Sequence, residues 1–425
     1  MTPKTICVLG LGYIGLPTAA ILASRGQRVI GVDVQQDVVD AINRGEIHIV
    51  EPDLDAVVRM AVADGMISAH LQPAPADVFI IAVPTPFRDN HQPDLRFVEA
   101  ASRSIAPHLQ SGNMVILEST SPVGTTAQMA QWLSEERPDL KFPQDAGDDA
   151  DVRIAYCPER VLPGHVLREL VSNDRIIGGM TPKCAAAAIA VYDIFVEGQC
   201  IVTNAATAEM CKLTENSFRD VNIAFANELS LICDEQGINV WELIRLANRH
   251  PRVNILQPGP GVGGHCIAVD PWFIVSSAPD AARIIRTARE VNDNKPQWVV
   301  DKARAEIAKQ LKEKGATPIK IAALGLSFKP DIDDLRESPA MQIVEDLANI
   351  AGVAVMCVEP NIQKLPMSLE GKVSLVALDN ALECADLVVL LVDHKEFKII
   401  DKSRLTGLHL IDTRGVWDGQ IGLEK

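Results

Sequence analysis

Gly10-Leu11-Gly12-Tyr13-Ile14-Gly15 directly follows the apolar run Ile6-Cys7-Val8-Leu9 and precedes a segment with helical periodicity. In a strand, turn and helix of this kind, the glycines allow a tight turn, close approach of a pyrophosphate and close helix packing. Asp33 ends the next predicted strand, about twenty residues on, where a carboxylate binds ribose hydroxyls and repels a 2′-phosphate. The sequence therefore predicts a dinucleotide site that prefers NAD to NADP.

Two further strand ends are expected on the same edge of the sheet, in the segments Val83–Pro86 and Glu118–Pro122. Open parallel sheets bind ligands at the carboxyl ends of their strands, so Thr85 and Thr120 are expected to line the nicotinamide half of the site. The alternative is that these proline-containing segments only reverse the chain. The contacts predicted for the dinucleotide are Gly10, Gly12, Tyr13, Ile14, Gly15, Asp33, Thr85 and Thr120.

The order of strand and helix signals predicts the domain organisation. Short β-branched runs alternate with helical patterns from Lys4 to about Thr203, which indicates a parallel sheet flanked by helices. The pattern is then helical from about Asn204 to Gln236, with Gly237 as the expected C-cap, and strand signals return after Gly315–Pro318. We predict an α/β fold of two Rossmann-like, doubly wound parallel-sheet domains joined by a long helical spine, with domains at 1–203, 204–314 and 315–425.

The predicted helix over Asn204–Gln236 would be about 50 Å long at 1.5 Å per residue. That length exceeds what one small domain needs. We therefore expect the central helices to connect the two α/β domains and to form the interface of a homodimer.

Composition limits the classes of partner and compartment. A net charge of −16 argues against nucleic acid and anionic membranes, which are bound through basic surface. The nine cysteines include no C-x-x-C pair, which indicates neither a disulfide framework nor a zinc site. The N-terminal sequence lacks a signal-peptide pattern, and no apolar run reaches about 18 residues. We expect a cytoplasmic protein without a metal site or a membrane span.

Cys266 closes the glycine-rich segment Gly261–Cys266. Exposed backbone N–H groups and little side-chain bulk would let a substrate approach this thiol closely. The other eight cysteines lie mostly in apolar or helical stretches, where cysteine is a small core residue. The local sequence alone leaves a catalytic and a structural role for Cys266 equally open.

Lys212, Asn216 and Arg219 fall on one face of the predicted long helix, because they are spaced by four and three residues. Such a polar ridge can line a cleft. It can equally be a solvated helix face, which is the commoner place for charged residues.

Seven segments together resemble the UDP-glucose/UDP-mannuronate dehydrogenase family over nearly the whole chain: GLGYIG, AVPTP, ESTSPVGTT, CPERVLPG, AEMCKLTENSF, GVGGHCIAVDP and LSFKPDIDDLRESP. The stretch HPRVNILQPGPGVGGHCIAVDPWFI, from His250 to Ile274, is more similar to the branch that acts on N-acetylated sugars than to the UDP-glucose branch. The resemblance implies an NAD-dependent, four-electron oxidation at C6 of a UDP-linked N-acetylhexosamine. UDP-N-acetyl-D-mannosamine is the expected substrate, with UDP-N-acetylglucosamine or UDP-glucose as alternatives.

The same resemblance implies the catalytic roles. The thiol matching Cys266 attacks the intermediate aldehyde, and the thiohemiacetal is oxidised to a thioester that water hydrolyses. Lys212 transfers protons and stabilises oxyanions, Asn216 supplies a neutral hydrogen bond, and Asp270 positions or activates water. Glu159 matches a glutamate suggested as a base in thioester hydrolysis.

The chain departs from the UDP-glucose branch at two positions. Pro163 stands where that branch has a second glutamate, four residues after Glu159. Val38 stands where it has a cofactor-binding arginine. The first difference puts in doubt any mechanism that needs both carboxylates, and it predicts a reshaped sugar pocket.

A diphosphate needs local cations on an acidic protein, and arginine can bind phosphate oxygens bidentately. Arg414 follows the last predicted strand and resembles the family's uridine-diphosphate arginine, and Arg252 resembles one contributed across the dimer interface. The alternative for each cation is a surface salt bridge of little energetic value. Arg336 is expected at the cofactor. The residues expected at the substrate are Arg160, Val161, Lys212, Asn216, Arg219, His250, Arg252, Gly263, Lys329 and Arg414.

Two rival functions remain open from the sequence. A two-electron β-hydroxyacid dehydrogenase would also join a dinucleotide domain to long helices, but it would leave the region after Thr317 without a role. A non-catalytic NAD sensor would leave Cys266 without one. The family resemblance further implies that the product serves a bacterial surface polysaccharide such as enterobacterial common antigen.

Overall fold

The computed structural model describes residues 3–88, 91–162, 164–264, 266–314 and 318–417. The chain forms two compact units, Met1–Glu215 and Asn216–Lys425. The strands are β1 Thr5–Leu9, β2 Arg28–Val32, β3 Ile67–His70, β4 Val78–Ile81, β5 Met114–Leu117, β6 Arg153–Tyr156, β7 Arg175–Gly179, β8 Cys200–Asn204, β9 Ile319–Leu324, β10 Val353–Val358, β11 Ser374–Leu375, β12 Leu387–Leu390 and β13 His409–Asp412.

The helices follow the strands in the alternation expected of an α/β protein. They are α1 Gly15–Ser24, α2 Gln36–Asn43, α3 Leu54–Ala63, α4 Arg96–Ile105, α5 Thr125–Glu136, α6 Pro143–Ala146, α7 Val166–Ser172, α8 Pro182–Tyr192, α9 Ala205–Gln236, α10 Val240–Ala247, α11 Asp270–Ser277, α12 Arg283–Lys314, α13 Pro339–Ala348, α14 Leu378–Cys384 and α15 Lys395–Lys398. The boundary between the two units falls inside α9.

The first unit contains an eight-stranded sheet of order β3-β2-β1-β4-β5-β6-β7-β8. The strand order reverses between β1 and β4, which is where doubly wound sheets bind their ligands. Alternate residues of β1 enter two separate apolar cores: Ile6 and Val8 lie in one, and Cys7 and Leu9 in the other. Burial on both faces explains why the strand is continuously apolar.

The second unit contains a parallel sheet of order β11-β10-β9-β12-β13, again with apolar cores on both faces. Its first turn repeats that of the first unit. The Gly325 N–H donates to the Val358 carbonyl (2.9 Å), as the Gly10 N–H donates to that of Val32 (2.8 Å). Both glycines have positive φ, 95° and 87°. The two sheets are thus built on the same strand–turn–strand pattern.

The predicted fold class is confirmed, and so is the long helix, which ends at Gln236 before Gly237 with φ 66°. Asn239 caps α10 by accepting from the Glu242 N–H (2.8 Å). The division at 203 and 314 stays a prediction, and the residues proposed as the second break, 315–317, lie outside the described residues. In the part of the chain that the structure describes, no helix is long and apolar enough to cross a membrane.

The sequence predicts strands at 5–9, 28–33, 77–83, 114–118, 153–157, 199–202, 319–324, 353–358, 386–392 and 409–412. It misses β3, β7 and β11. Strand β3 is only half apolar, β11 has two residues, and β7 ends in two glycines. Strand β7 also runs antiparallel to β6, so the first sheet is not wholly parallel as predicted. Short strands of mixed polarity carry little periodicity, and their pairing depends on distant segments.

Candidate active site

The glycine motif of the first unit has the shape of a phosphate cradle. A Cβ on Gly10 would lie 2.6 Å from the Ala82 carbonyl oxygen, and one on Gly15 would overlap that of Gly10. A Cβ on Gly12 would have no described atom within 4 Å, so the space beside this glycine is open. Helix α1 begins at Gly15 without a side-chain cap, which suits a helix whose first N–H groups face a phosphate.

Asp33 lies beside this cradle, directly after β2. One carboxylate oxygen accepts from the Leu11 N–H (3.0 Å) and the other from the Gln35 N–H (3.0 Å). Backbone bonds therefore hold the carboxylate at the end of the strand, next to the glycine turn. This position suits the ribose contact predicted from the sequence.

Thr85 and Thr120 come together although 35 residues separate them. The Thr85 hydroxyl donates to the Thr120 carbonyl, and both residues are half-buried after β4 and β5. The two strand ends thus form one structured edge. Their contact with the nicotinamide stays a prediction.

Arg175 lies in a buried charged cluster that the sequence did not reveal. Its guanidinium donates to Glu159 Oε2 (2.8 Å) and lies 3.8 Å from Glu118 Oε1. It also stacks on the Tyr192 ring at 4.6 Å, and the Tyr192 hydroxyl donates to Glu118 Oε1 (2.6 Å). Burial raises the pKa of Glu118 to about 7, and Arg175 opposes that rise. Glu118 directly follows β5, so the cluster lies behind the edge that carries Thr120.

The raised pKa of Glu118 predicts a pH-dependent stability. Between pH 4.5 and about 7 the unfolded chain releases this proton while the folded protein keeps it, so the free energy of unfolding falls as pH rises. Glu118→Gln removes this contribution. In urea unfolding, the free energy of unfolding of the variant minus that of the wild type should therefore rise by about 2 to 3 kcal/mol from pH 5 to pH 8. The exposed Glu135→Gln is the control, and parallel pH curves for wild type and Glu118→Gln would contradict the prediction.

Lys212 contacts the loop that follows β6. Its Nζ donates to the Glu159 carbonyl oxygen (2.6 Å). The Glu159 side chain is buried; besides its bond to Arg175, its Oε1 accepts from the Arg160 N–H (2.6 Å). Arg160 in turn pairs with Glu215 (2.7 Å) one turn along α9 from Lys212. Three predicted residues, Lys212, Glu159 and Arg160, thus lie together in the structure. The contact of Glu159 with the lysine is through its backbone carbonyl.

The neighbours of this loop complete the predicted set in the first unit. Val161 is half-buried and packs against the apolar core. Pro163, the position at which this chain departs from the UDP-glucose branch, lies outside the described residues. The reshaped sugar pocket therefore stays a prediction.

Cys266 is exposed and lies shortly before α11. Its carbonyl oxygen accepts from the N–H groups of Asp270 (2.9 Å) and Val269 (3.1 Å), so the thiol stands at the first turn of that helix. The buried carboxylate of Asp270 accepts from Asn216 Nδ2 (2.5 Å). Cys266 and Asp270 come from one predicted motif and Asn216 from another, and the structure links the two motifs through Asn216 and Asp270.

Close packing explains the glycines before Cys266. A Cβ on Gly263 would overlap the Glu337 carbonyl oxygen, and one on Gly264 would lie 3.0 Å from the Phe328 ring. Gly264 also has φ 83°. The loop therefore packs without side chains against the segment that follows β9 and carries Lys329.

Arg414 lies next to the same glycine-rich loop. Its Nη1 is 2.5 Å from the place a Cβ on Gly259 would take, so a side chain at that position would displace the guanidinium. Asp393 fixes the guanidinium through Arg414 Nε (2.9 Å) and Nη2 (2.8 Å). A fixed arginine beside the Cys266 loop suits an anionic substrate group.

The remaining predicted cations are less closely placed. Arg336 is exposed and forms a bidentate pair with Asp334 (2.9 and 2.7 Å). His250 and Arg252 are exposed after α10, where the Arg252 N–H donates to His250 Nδ1 (3.3 Å). Arg219 is exposed on α9. For these four side chains both the ligand-binding and the salt-bridge or surface interpretation remain open.

Asp220 is a buried residue of α9 that the sequence prediction missed. It is fully buried, whereas the predicted Arg219 faces solvent. The spacing of four from Lys212 to Asn216 leads to position 220, so the helical period was a usable signal. The prediction took a spacing of three from Asn216, which leads to Arg219.

Comparisons with known proteins identify the family of the chain. Models of one family, UDP-glucose/GDP-mannose dehydrogenase, match residues 4–196 as the NAD binding domain, 206–294 as the central domain and 322–419 as the UDP binding domain. The UDP-N-acetyl-D-mannosamine dehydrogenase of Yersinia pestis is 65% identical over 98% of this chain and 100% of its own length. The NDP-N-acetyl-D-galactosaminuronic acid dehydrogenase of Ralstonia nicotianae is 64% identical over 98% and 97%.

A solved structure extends the likeness to three dimensions. The UDP-D-ManNAc dehydrogenase of Pyrococcus horikoshii has a TM-score of 0.86 at 40% identity, covering 97% of this chain and 96% of that one. The resemblance noted in the sequence and the choice of NAD are confirmed. The chain belongs to the UDP-glucose/GDP-mannose dehydrogenase family of NAD-dependent oxidoreductases.

Proposed function

We propose that this enzyme oxidises the C6 alcohol of UDP-N-acetyl-D-mannosamine to the carboxylate. One alcohol, one water and two NAD give one carboxylate, two NADH and three protons. The observation that carries the proposal is the cluster of exposed Cys266, buried Asp270 and Asn216 in a chain that also holds a dinucleotide cradle. A nucleophilic thiol can capture the intermediate aldehyde and hold it for the second oxidation.

The proposed chemistry assigns each step to a residue. Bound NAD accepts hydride at each oxidation. Cys266 Sγ attacks the aldehyde carbon; the thiohemiacetal becomes a thioester, and water then displaces the thiolate. Lys212, as the neutral amine, takes the proton of the C6 hydroxyl, and the ammonium so formed stabilises the oxyanion. Asp270, held by Asn216, orients the water. Glu159 takes part through its bond to Lys212.

We propose three domains, 1–203, 204–314 and 315–425, with the catalytic residues centred on the middle one. Arg336, Thr85 and Thr120 serve the cofactor in this proposal. Arg414 and Lys329 bind the diphosphate, because both lie in segments against the Cys266 loop. The further proposed substrate contacts are Arg160, Val161, Arg219, His250, Arg252 and Gly263.

A panel of nucleotide sugars tests the substrate assignment. Relatives of almost equal identity carry the names of mannosamine and galactosaminuronic acid dehydrogenases, so overall similarity does not choose the epimer. We expect kcat/KM to be highest for UDP-N-acetyl-D-mannosamine among its glucosamine and galactosamine epimers and UDP-glucose. A higher value for any other member would overturn the epimer and leave the reaction type in place.

Asp33→Ser is expected to weaken NAD binding and to relax the exclusion of NADP. Loss of a charged hydrogen-bond acceptor at the ribose costs about 1.5 to 3 kcal/mol, which is roughly a tenfold to a hundredfold rise in the KM for NAD. The KM for the nucleotide sugar should stay within about threefold of the wild type. Initial rates with NAD and NADP measure both, and an unchanged KM for NAD would contradict the ribose contact.

We propose a homodimer formed through α9 and α12. In the second unit these helices line an apolar depression of about 850 Å³. Phe225 is 53% exposed and Ile284 72% exposed at this face. Apolar side chains of this size gather on a surface where another protein surface covers them. A second copy of this chain is the proposed occupant, because the long helices offer it a continuous face.

Phe225→Asp combined with Ile284→Asp should convert a dimer into a monomer. Two buried carboxylates facing their symmetry mates would cost several kcal/mol at the interface. Light scattering should then give the mass of one chain in place of two. Met367→Asp, at an 89% exposed apolar residue outside this depression, is the matched control. A wild-type protein with the mass of one chain would contradict the dimer proposal.

The compartment is proposed from the state of the cysteines, and the pathway from the family resemblance. No disulfide joins the nine cysteines, all of which the structure describes, and this suits the reducing cytoplasm. The acidic product is an activated sugar, and we propose that it is used for a bacterial surface polysaccharide such as enterobacterial common antigen. Nucleic acid and membrane are not proposed as partners, given the net charge of −16.

A further inference from the structure

Four buried polar residues join α9 to α12 in the second unit. Asp220 and Asn227 lie two turns apart on α9, and Arg289 and Asn292 lie on α12. The Arg289 guanidinium donates to Asp220 Oδ1 (2.6 Å), and Asn292 Nδ2 donates to the same oxygen (2.8 Å). Asn227 Nδ2 donates to Asn292 Oδ1 (2.8 Å). We call these four residues the inter-helix network.

The inter-helix network also reaches the segment that carries the nucleophile. Asn227 Oδ1 accepts from the Gly259 N–H (2.9 Å). Arg289 Nη1 lies 3.5 Å from the carbonyl oxygen of Ile267, the residue after Cys266. The segment around Cys266 is therefore held at Gly259 and at Ile267, in addition to the bond between Asn216 and Asp270.

The direction of each amide in this network follows from Asp220. Because Asn292 turns its Nδ2 to the carboxylate, its oxygen faces Asn227. Asn227 must then donate to Asn292, which leaves its own oxygen for the Gly259 N–H. Although Asp220 Oδ2 and Arg289 Nε lack hydrogen-bond partners among the described residues, the bonds of the two buried amides select one orientation for each of them. The charge on Asp220 thus orients the acceptor that holds the loop.

The network is a poor device for stability alone. Burial raises the pKa of Asp220, and the Arg289 guanidinium opposes that rise. A buried ion pair of this type often stabilises no better than apolar residues of the same volume. Its contacts with the segment around Cys266 offer a functional reason for the network.

We propose that Asn227 and Arg289 are positioning residues for Cys266, which set the place of the thiol by holding both sides of its loop. The inference rests on the proposed function, since it assigns Cys266 to the capture of the aldehyde. Alcohol oxidation does not use the thiol, so the two oxidations should respond differently. A displacement of about 1 Å at a reacting group can cost a hundredfold in rate.

The test compares Asn227→Ala and Arg289→Lys with Ser230→Ala. Lysine keeps a charge opposite Asp220 but is too short to reach Ile267 as well. Ser230 Oγ accepts from Lys295 Nζ (2.5 Å) and donates to the Asn227 carbonyl oxygen (2.6 Å). Its variant therefore also loses buried bonds, including the one between α9 and α12, but it leaves the bond between the Asn227 side chain and the Gly259 N–H in place. Rapid-mixing kinetics with NAD and UDP-N-acetyl-D-mannosamine resolve the first and second NADH. Iodoacetamide labelling of Cys266, mapped by mass spectrometry, reports the reactivity of the thiol, and thermal unfolding reports stability.

We expect both network variants to slow the second NADH by about tenfold to a hundredfold and the first by less than about threefold. Labelling of Cys266 should change in the same variants. Ser230→Ala should lower Tm by a similar amount and leave both phases unchanged. Equal slowing of both phases, or unchanged phases with lowered Tm, would overturn the positioning role. A wild type that lacks a second phase would instead refute the proposed function.

Discussion

Cys266→Ala is expected to abolish carboxylate formation, by at least about a thousandfold, while NAD binding is retained. Without the thiol, the aldehyde has no covalent anchor from which a second hydride can leave. The thiol is exposed at the start of α11, so its removal leaves no cavity in a core. Product analysis by mass spectrometry measures the carboxylate, and calorimetry measures NAD binding.

The matched control for Cys266 is Cys384→Ala, which removes the other exposed thiol in the described second unit. It should keep full activity. If Cys266→Ala forms carboxylate at the wild-type rate, the covalent mechanism is wrong. If the variant instead releases aldehyde, the assignment of the thiol to the second oxidation is supported directly.

Lys212→Ala is expected to lower kcat by about 10² to 10⁴, the range for loss of a general acid or base. The Lys212 side chain is half-buried, and its Nζ is fixed by its bond to the Glu159 carbonyl oxygen (2.6 Å). The KM for NAD should change little. Steady-state kinetics with both substrates measure the separation.

Lys183→Ala supplies the control, because Lys183 is an exposed lysine of the same unit. Its activity should equal that of the wild type. A Lys212→Ala enzyme with more than about half of the wild-type kcat would remove the lysine from the mechanism. A loss confined to the KM of the nucleotide sugar would make it a binding residue.

The glycine motif and the long helix were predictable because their signals are local. The order of strand, GLGYIG and helix lies within a short stretch at the start of the chain, and the helix shows an unbroken period that ends at Gly237. Family motifs then brought Cys266, Asp270 and Asn216 together, and the structure places Asn216 Nδ2 at 2.5 Å from Asp270.

The buried polar groups were not predictable for the opposite reason. Arg175 opens β7, whose antiparallel pairing with β6 has no local pattern, so its ion pair with Glu159 could not be foreseen. Asn227 matters through a bond to Gly259, 32 residues away, and its sequence context is an ordinary apolar helix. Partners of this kind are chosen by the assembled fold, and motif spacing carries no information about them.

The measurement that tests the central claim most directly is the amount of NADH formed per UDP-N-acetyl-D-mannosamine consumed. The sugar should be limiting and NAD in excess, with both quantified at completion. We predict two NADH and one carboxylate for each sugar. One NADH with accumulation of aldehyde, or none, would contradict the proposed four-electron oxidation.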